Sequence, residues 1–133
     1  MIRVFADTHF FLAFLNTRDR SHDSARRFRE SNDVQLVTTL WVLAEILDAL
    51  SSVAQRAGAG RFVQKLQVDA NVLIVPAEPQ YFESGFRLYV ARPDKSWSLT
   101  DCISFEVMRA MGLTEVLTGD RDFEQAGFTR LLP

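Results

Sequence analysis

The sequence predicts an α/β fold, a three-layer α/β/α sandwich with a central parallel sheet in strand order 3-2-1-4-5. Three observations predict it. Short β-branched or apolar runs alternate with stretches of helical period along the chain. No tight hairpin signal joins two strands, which argues for a parallel sheet with helices on both faces. Right-handed crossovers then wind outward in both directions from the first strand, which gives the order. That order leaves a topological switch point between strands 1 and 4, where ligands of such sheets bind.

Ile2 to Ala6 reads as the first strand, ended by Asp7-Thr8. Phe10 to Thr17 follows as a helix with a nearly all-apolar surface, expected to be buried. A second helix, about Ser21 to Ser31, turns only Ala25 and Phe28 inward and carries Arg26, Arg27 and Arg29. Val34 to Thr38 is the second strand, and a long helix runs from Leu40 to about Gln55. Gly58-Ala59-Gly60 is expected to break the chain before a short helix near Arg61 to Val68. Val72 to Val75, closed by Pro76, is a continuous β-branched run expected of a strand covered on both faces. Pro79 can open the next helix, on which Phe82, Phe86 and Tyr89 share one face, either core or a dimer face. Asp94 to Trp97 is a loop, and Leu99 to Met111 a helix stopped by Gly112. Glu115 to Thr118 is the fourth strand. A short helix through Asp122 to Gln125 and a last strand near Arg130-Leu131-Leu132 complete the chain.

The 133 residues suit one domain, 1–133, and a chain of this size can fold without disulfides or a structural metal. Hydrophobic residues make up 47%, which excludes disorder. The longest apolar run, Phe10 to Leu15, is far too short to span a membrane, and Asp7 interrupts the place of a secretory leader. Cys102 is the single cysteine, so no internal disulfide forms and a reducing, cytoplasmic setting is expected. With only His9 and His22 beside it, a zinc site of four nitrogen and sulfur ligands is excluded. Any metal must be held mainly by oxygen. Of the 15 basic residues 13 are arginine, whose forks match phosphate geometry, although genomic base composition biases arginine usage in the same direction.

Four carboxylates stand out by position. Asp7 and Asp120 lie just past the carboxyl ends of strands 1 and 4, on either side of the switch point. Asp101 sits in the first turn of the helix leading into strand 4. Glu45 interrupts the apolar stretch Leu40 to Leu47, and Asp122 is an additional candidate two residues behind Asp120. Each also has a purely structural use. Asp7 and Asp120 suit helix caps, Asp101 suits the third position of a capping box opened by Ser98, and Glu45 could pair with an arginine of another helix. Together they say more than singly. Carboxylates ~4 Å apart repel by roughly 4 kcal/mol per pair at an effective dielectric near 20, and a divalent cation relieves that repulsion. Oxygen ligands select Mg²⁺ or Mn²⁺, which can acidify a bound water and orient a phosphodiester. Neutralising four of these acids would turn the formal net charge from −2 to +2.

Five stretches resemble the PIN-domain family of metal-dependent ribonucleases, especially the VapC-like toxins of toxin–antitoxin pairs. They are Val4-Phe5-Ala6-Asp7-Thr8, Asp19-Arg20-Ser21-His22-Asp23-Ser24-Ala25, Glu45 in its apolar helix, Ser98 to Phe105, and Leu117 to Phe128. The resemblance covers essentially the whole chain in the right order. It implies catalytic and metal-holding roles for Asp7, Glu45, Asp101 and Asp120, with Asp122 at a position acidic in only part of the family. Thr8 and Thr118 match hydroxyl positions that hydrogen-bond the acids. It further implies Mg²⁺ or Mn²⁺ as cofactor, RNA as substrate, hydrolysis by in-line attack without a covalent enzyme intermediate, and a small antitoxin as partner; a homodimer is expected as well. Glu45 would be a further ligand or the residue that orients the attacking water.

The remaining candidates have blander readings. His9 suits a half-exposed helix histidine or a substrate contact, and His22 with Asp19 suits a tie in the loop between the first two helices. Trp97 suits a partly buried anchor, or a base-stacking platform. Arg18, Arg20, Arg26 and Arg27 suit a solvated face or a phosphate track, and Cys102 an inert core thiol. Two rival functions are a non-catalytic PIN-fold module that binds RNA or protein, and another Mg²⁺-dependent α/β phosphotransfer domain. The second is disfavoured because Asp7-Thr8-His9 lacks the Asp-x-Asp of haloacid-dehalogenase-like phosphatases, and no late basic residue of a receiver is evident.

Overall fold

The computed structural model describes residues 1–31 and 33–133. Five parallel strands, β1 (Ile2–Ala6), β2 (Val34–Thr39), β3 (Val72–Val75), β4 (Glu115–Leu117) and β5 (Thr129–Arg130), form one sheet in the order β3-β2-β1-β4-β5. The helices are α1 (Thr8–Leu15), α2 (His22–Glu30), α3 (Leu40–Ala49), α4 (Val53–Gln67), α5 (Pro79–Ala91), α6 (Leu99–Met111) and α7 (Asp122–Gln125). They form the two outer layers of the sandwich: α1 packs on α2 and α3, α3 on α4, and α5 on α6. No described helix is long and apolar enough to cross a membrane.

β1 is the centre of the sheet. Val4, Phe5 and Ala6 are buried, as continuous apolar residues in a strand covered on both faces should be. Its register pairs Phe5 with Val37 on one side and Val116 on the other, and Ala6 with Leu117. The next residues on β1 and β4, Asp7 and Thr118, therefore emerge side by side at the carboxyl edge. Thr38 of β2 locks this edge by donating its hydroxyl to the Ala6 carbonyl at 2.9 Å.

Two sequence expectations are corrected here, and one pair of alternatives is narrowed. The long helix ends at Ala49, and α4 runs from Val53 to Gln67 straight through Gly58 and Gly60. Ser52, not the glycines, marks the boundary: it takes the extended N-cap conformation and its hydroxyl bonds Gln55 at 2.9 Å. Each glycine weakens a helix by about 1 kcal/mol relative to alanine, and burial of Ala59, Val63 and Leu66 on the same helix outweighs that cost. Second, β3 is an edge strand bonded only to β2, and only Val75 is buried; Val72, Leu73 and Ile74 are half-covered. Of the two alternatives for Phe82, Phe86 and Tyr89, the structure removes the core. They are 45–50% exposed, with Phe82 stacked on Phe86 at 6.2 Å.

That exposure has a local cause. α5 turns Tyr81, Gly85 and Leu88 toward α6, leaving the aromatic stripe outside. Gly85 is there because the two helices nearly touch: a Cβ on it would lie 2.4 Å from Ile103 Cγ1 and 2.8 Å from Ile103 Cα. Backbone atoms cannot step aside as a flexible side chain can. Gly85→Ala is therefore expected to destabilise the protein by roughly 1–3 kcal/mol or more, measured by chemical denaturation. Ser104, on α6, is fully buried and its hydroxyl has no hydrogen-bond partner among the described residues. Ser104→Ala removes an unpaired polar atom, so its denaturation midpoint is expected to be equal to or above wild type.

Candidate metal centre

β1, α3, α6 and the β4–α7 loop each bring one or more acids to the carboxyl edge of the sheet. Asp7 stands at the N-cap position of α1, yet its side chain makes no capping bond. Its Oδ2 instead accepts the Thr118 hydroxyl at 3.0 Å, and Asp7 is only 5% exposed. The same Thr118 oxygen accepts the Asp120 backbone N–H at 3.1 Å, so one buried hydroxyl sets the spacing of both aspartates. Asp120 Oδ1 accepts the Asp122 N–H at 2.9 Å and turns the chain into α7. Glu45 makes no ion pair with an arginine among the described residues. Its Oε1 accepts the Thr8 hydroxyl at 2.6 Å, which ties α3 to the residue after Asp7.

Asp101 does two things at once. Its N–H donates to Ser98 Oγ at 3.0 Å while its Oδ2 accepts the Ser98 N–H at 3.2 Å, a complete capping box. One of its carboxylate oxygens also lies within 4.8 Å of oxygens of both Asp120 and Asp122. Trp97 braces this arrangement. It is buried, packs edge-on against Phe105 at 5.1 Å, and donates its indole N–H to Gln125 Oε1 at 3.3 Å, joining the start of α6 to α7. The tryptophan is an anchor.

The electrostatics follow from burial and crowding. Burial, then the charge of Asp101, then that of Glu45 push the Asp7 carboxyl up to about 7, against hydrogen bonds from Thr8 and Thr118. Burial pushes Asp101 up to about 6, with Asp120 and Asp122 adding to it and the Ser98 bonds opposing. Asp122 is raised by burial and by Asp120, with Lys95 opposing. Negative charge is thus coupled from Glu45 through Asp7 and Asp101 to Asp120 and Asp122. None of the five forms a salt bridge among the described residues. Asp101, Asp120 and Asp122 are the three whose oxygens lie within 4.8 Å of one another, and Asp7 and Glu45 stand outside that group; oxygen donors held together against their own repulsion fit a hard divalent cation.

The blander candidates divide cleanly. His22 Nδ1 bonds the Ala13 carbonyl at 3.0 Å and Asp19 Oδ1 accepts the Ser21 N–H, so both tie the α1–α2 loop. Arg26 pairs with Glu30 and Arg27 with Ser24 on the solvated face of α2. Cys102 is buried, and burial pushes its thiol up to about 11, which makes it inert. His9 takes the Gly119 N–H on Nδ1 at 2.9 Å. Sequence reasoning missed Arg121 and Arg130, which flank that contact. The available signal was the basic residue wedged between Asp120 and Asp122.

Residues 4–129 match the model of the PIN domain, and the chain belongs to the PIN-domain family. Within it, the chain is 30% identical over 131 residues to the 23S rRNA-specific endonuclease VapC20 of Mycobacterium tuberculosis, covering 98% of each. The crystal structure of that protein, a Sarcin-Ricin loop cleaving toxin, matches with a TM-score of 0.87 at 27% identity over 98% of this chain and 99% of the other. A chain of the VapBC2 complex of Rickettsia felis, bound to a DNA fragment from its promoter, shares the fold with a TM-score of 0.71 at 12% identity and full coverage of both chains. FitAcB from Neisseria gonorrhoeae shares it with a TM-score of 0.62 at 16% identity over 96% of each chain.

Proposed function

We propose that this chain is a Mg²⁺- or Mn²⁺-dependent endoribonuclease, a single PIN-like domain over residues 1–133 that acts in the cytoplasm as the toxin of a toxin–antitoxin pair. The observation that carries the reading is the group of Asp101, Asp120 and Asp122, with oxygens within 4.8 Å of one another and no salt bridge among the described residues, at the switch point where buried Asp7 also emerges. Whole-length similarity to a relative named as an rRNA-specific endonuclease supports RNA as substrate.

Asp7, Asp101 and Asp120 would hold the cation, with Asp122 beside them. When bound, it supplies charge to a phosphodiester oxygen and acidity to a water. Glu45 has Oε1 occupied by Thr8, which leaves Oε2 to orient the attacking water and draw off its proton. That water forms a bond to phosphorus as the bond to the leaving ribose oxygen breaks, the leaving oxygen takes a proton from solvent, and no covalent enzyme intermediate forms. Thr8 and Thr118 are positioning residues that fix Glu45 and Asp7.

A small antitoxin is the expected partner, as the VapC20 relative is a toxin. The exposed Phe82, Phe86, Tyr89 and Val90 of α5 form the apolar face on which we expect two copies to pair. A labelled RNA oligonucleotide with unpaired segments tests the activity. Cleavage is expected with Mg²⁺ or Mn²⁺ and none with chelator. RNA that binds but stays intact in every metal would favour the non-catalytic module.

A further inference from the structure

His9, Arg20, Gly119, Arg121, Arg130 and Pro133 line an open cavity of about 370 Å³. It lies on the same loop as the acid cluster, since Gly119 separates Thr118 from Asp120 and Arg121 separates Asp120 from Asp122. Most arginines of the chain are engaged: Arg26, Arg29, Arg92 and Arg109 in ion pairs, Arg3, Arg27, Arg56 and Arg87 in hydrogen bonds. Arg18, Arg20, Arg61 and Arg121 have neither a carboxylate nor a hydrogen-bond acceptor for their guanidinium groups among the described residues, and two of these four, Arg20 and Arg121, line this cavity.

The cavity's other walls are built around them. Arg130 is held by Glu124 and donates to the Gly119 carbonyl at 3.0 Å, which fixes the loop. The Gly119 N–H donates to His9 Nδ1, so the ring carries its proton on Nε2 and keeps a donor free. A side chain at 119 would push that ring out, because its Cβ would lie 2.6 Å from His9 Cε1 and 3.0 Å from the Pro133 carbonyl. The neighbouring acidic groups have bonds of their own: Asp19 Oδ1 accepts the Ser21 N–H, Asp120 Oδ1 accepts the Asp122 N–H, Glu124 binds Arg130, and the Pro133 carboxyl oxygen on the cavity wall accepts the Ser21 hydroxyl at 3.4 Å.

We propose that this cavity is an anion subsite for a backbone phosphate of the RNA next to the one that reaches the acids, a proposal that rests on the nuclease reading above. Two unpaired guanidinium forks and an N–H donor match a phosphodiester. A strand whose scissile phosphate sits at the acids must carry further phosphates past Asp120 and Asp122, and Arg20 and Arg121 supply the positive charge that offsets them. An acidic protein segment has no such requirement to continue from the acid cluster into the cavity.

The test is fluorescence anisotropy of a labelled 12-nucleotide single-stranded RNA in chelator, over a range of NaCl concentrations. Wild type is compared with Arg20→Gln/Arg121→Gln and with Arg87→Gln, a charge control on α5. The double variant is expected to melt at the wild-type temperature and bind about tenfold or more weakly at low salt. Its slope of log affinity against log salt should fall by about 0.7, the single-strand value for one phosphate; Arg87→Gln should match wild type. Wild-type affinity and slope in a folded double variant would overturn the subsite, as would a deficit confined to a glutamate decapeptide used in place of RNA. A wild type that cleaves this RNA with Mn²⁺ yet does not bind it in chelator would also overturn it. A wild type that neither binds nor cleaves would instead remove the nuclease reading.

Discussion

Asp7→Asn is expected to make the metal-free protein more stable at pH 7 while lowering RNA cleavage at least ~100-fold. The activity loss corresponds to a few kcal/mol of lost transition-state stabilisation. The stability gain follows from the sign of the pKa change. The Asp7 carboxyl lies at about 7 in the folded protein and near 3.8 when exposed. Below pH 4 both states hold the proton and no penalty exists. Between about 4 and 7 the folded state keeps a proton that the unfolded state releases, so stability falls as pH rises, and above 7 the full penalty persists. Asparagine keeps an oxygen for the Thr118 hydroxyl and removes the charge, which should raise stability by on the order of 2–4 kcal/mol above pH 7. The difference between wild type and variant, measured by urea denaturation from pH 4 to 8, isolates this group from others of opposite sign. One such group is Asp69, held below the ordinary carboxylate range first by the Asn71 N–H and then by Arg29.

The second large effect is on the response to metal. Mn²⁺ at a hundredfold excess over its Kd would stabilise the folded wild type by about 2.7 kcal/mol, a rise of roughly 5–10 °C in Tm. Asp101→Asn is expected to lose most of that rise. Its Tm in chelator should equal or exceed wild type, because the amide oxygen can still accept the Ser98 N–H while the charge facing Asp120 and Asp122 is gone. Asp101→Ala also loses the capping box and should be about 1 kcal/mol less stable than the asparagine variant. An undiminished Mn²⁺ shift in Asp101→Asn would restrict Asp101 to capping.

The sheet order and the place of its acids were legible because both depend on local signals. Runs such as Val72 to Val75 declare strands, and a carboxylate just past β1 or β4 must emerge at the carboxyl edge. The α3–α4 boundary was misread because glycine propensity, worth about 1 kcal/mol, competes with packing that sequence does not display. Gly85 illustrates the same gap: its necessity lies in Ile103, eighteen positions away. For Asp101, capping and cation binding both call for an acid at the third position of α6, so sequence alone could not show that one side chain does the first while facing the others needed for the second. Arg20 and Arg121 line one cavity because the α1–α2 loop folds beside the β4–α7 loop, and no period or spacing encodes that placement.

The central claim is that the coupled acids form a cation site that cuts RNA. The initial rate of cleavage of one labelled RNA, measured for wild type and Asp7→Asn at saturating Mn²⁺ and again in chelator, tests it most directly. The account predicts cleavage by wild type with Mn²⁺ and at most about one-hundredth of that rate from the variant or from either protein in chelator. A variant that cuts at the wild-type rate, or a wild type that cuts equally well in chelator, would contradict it.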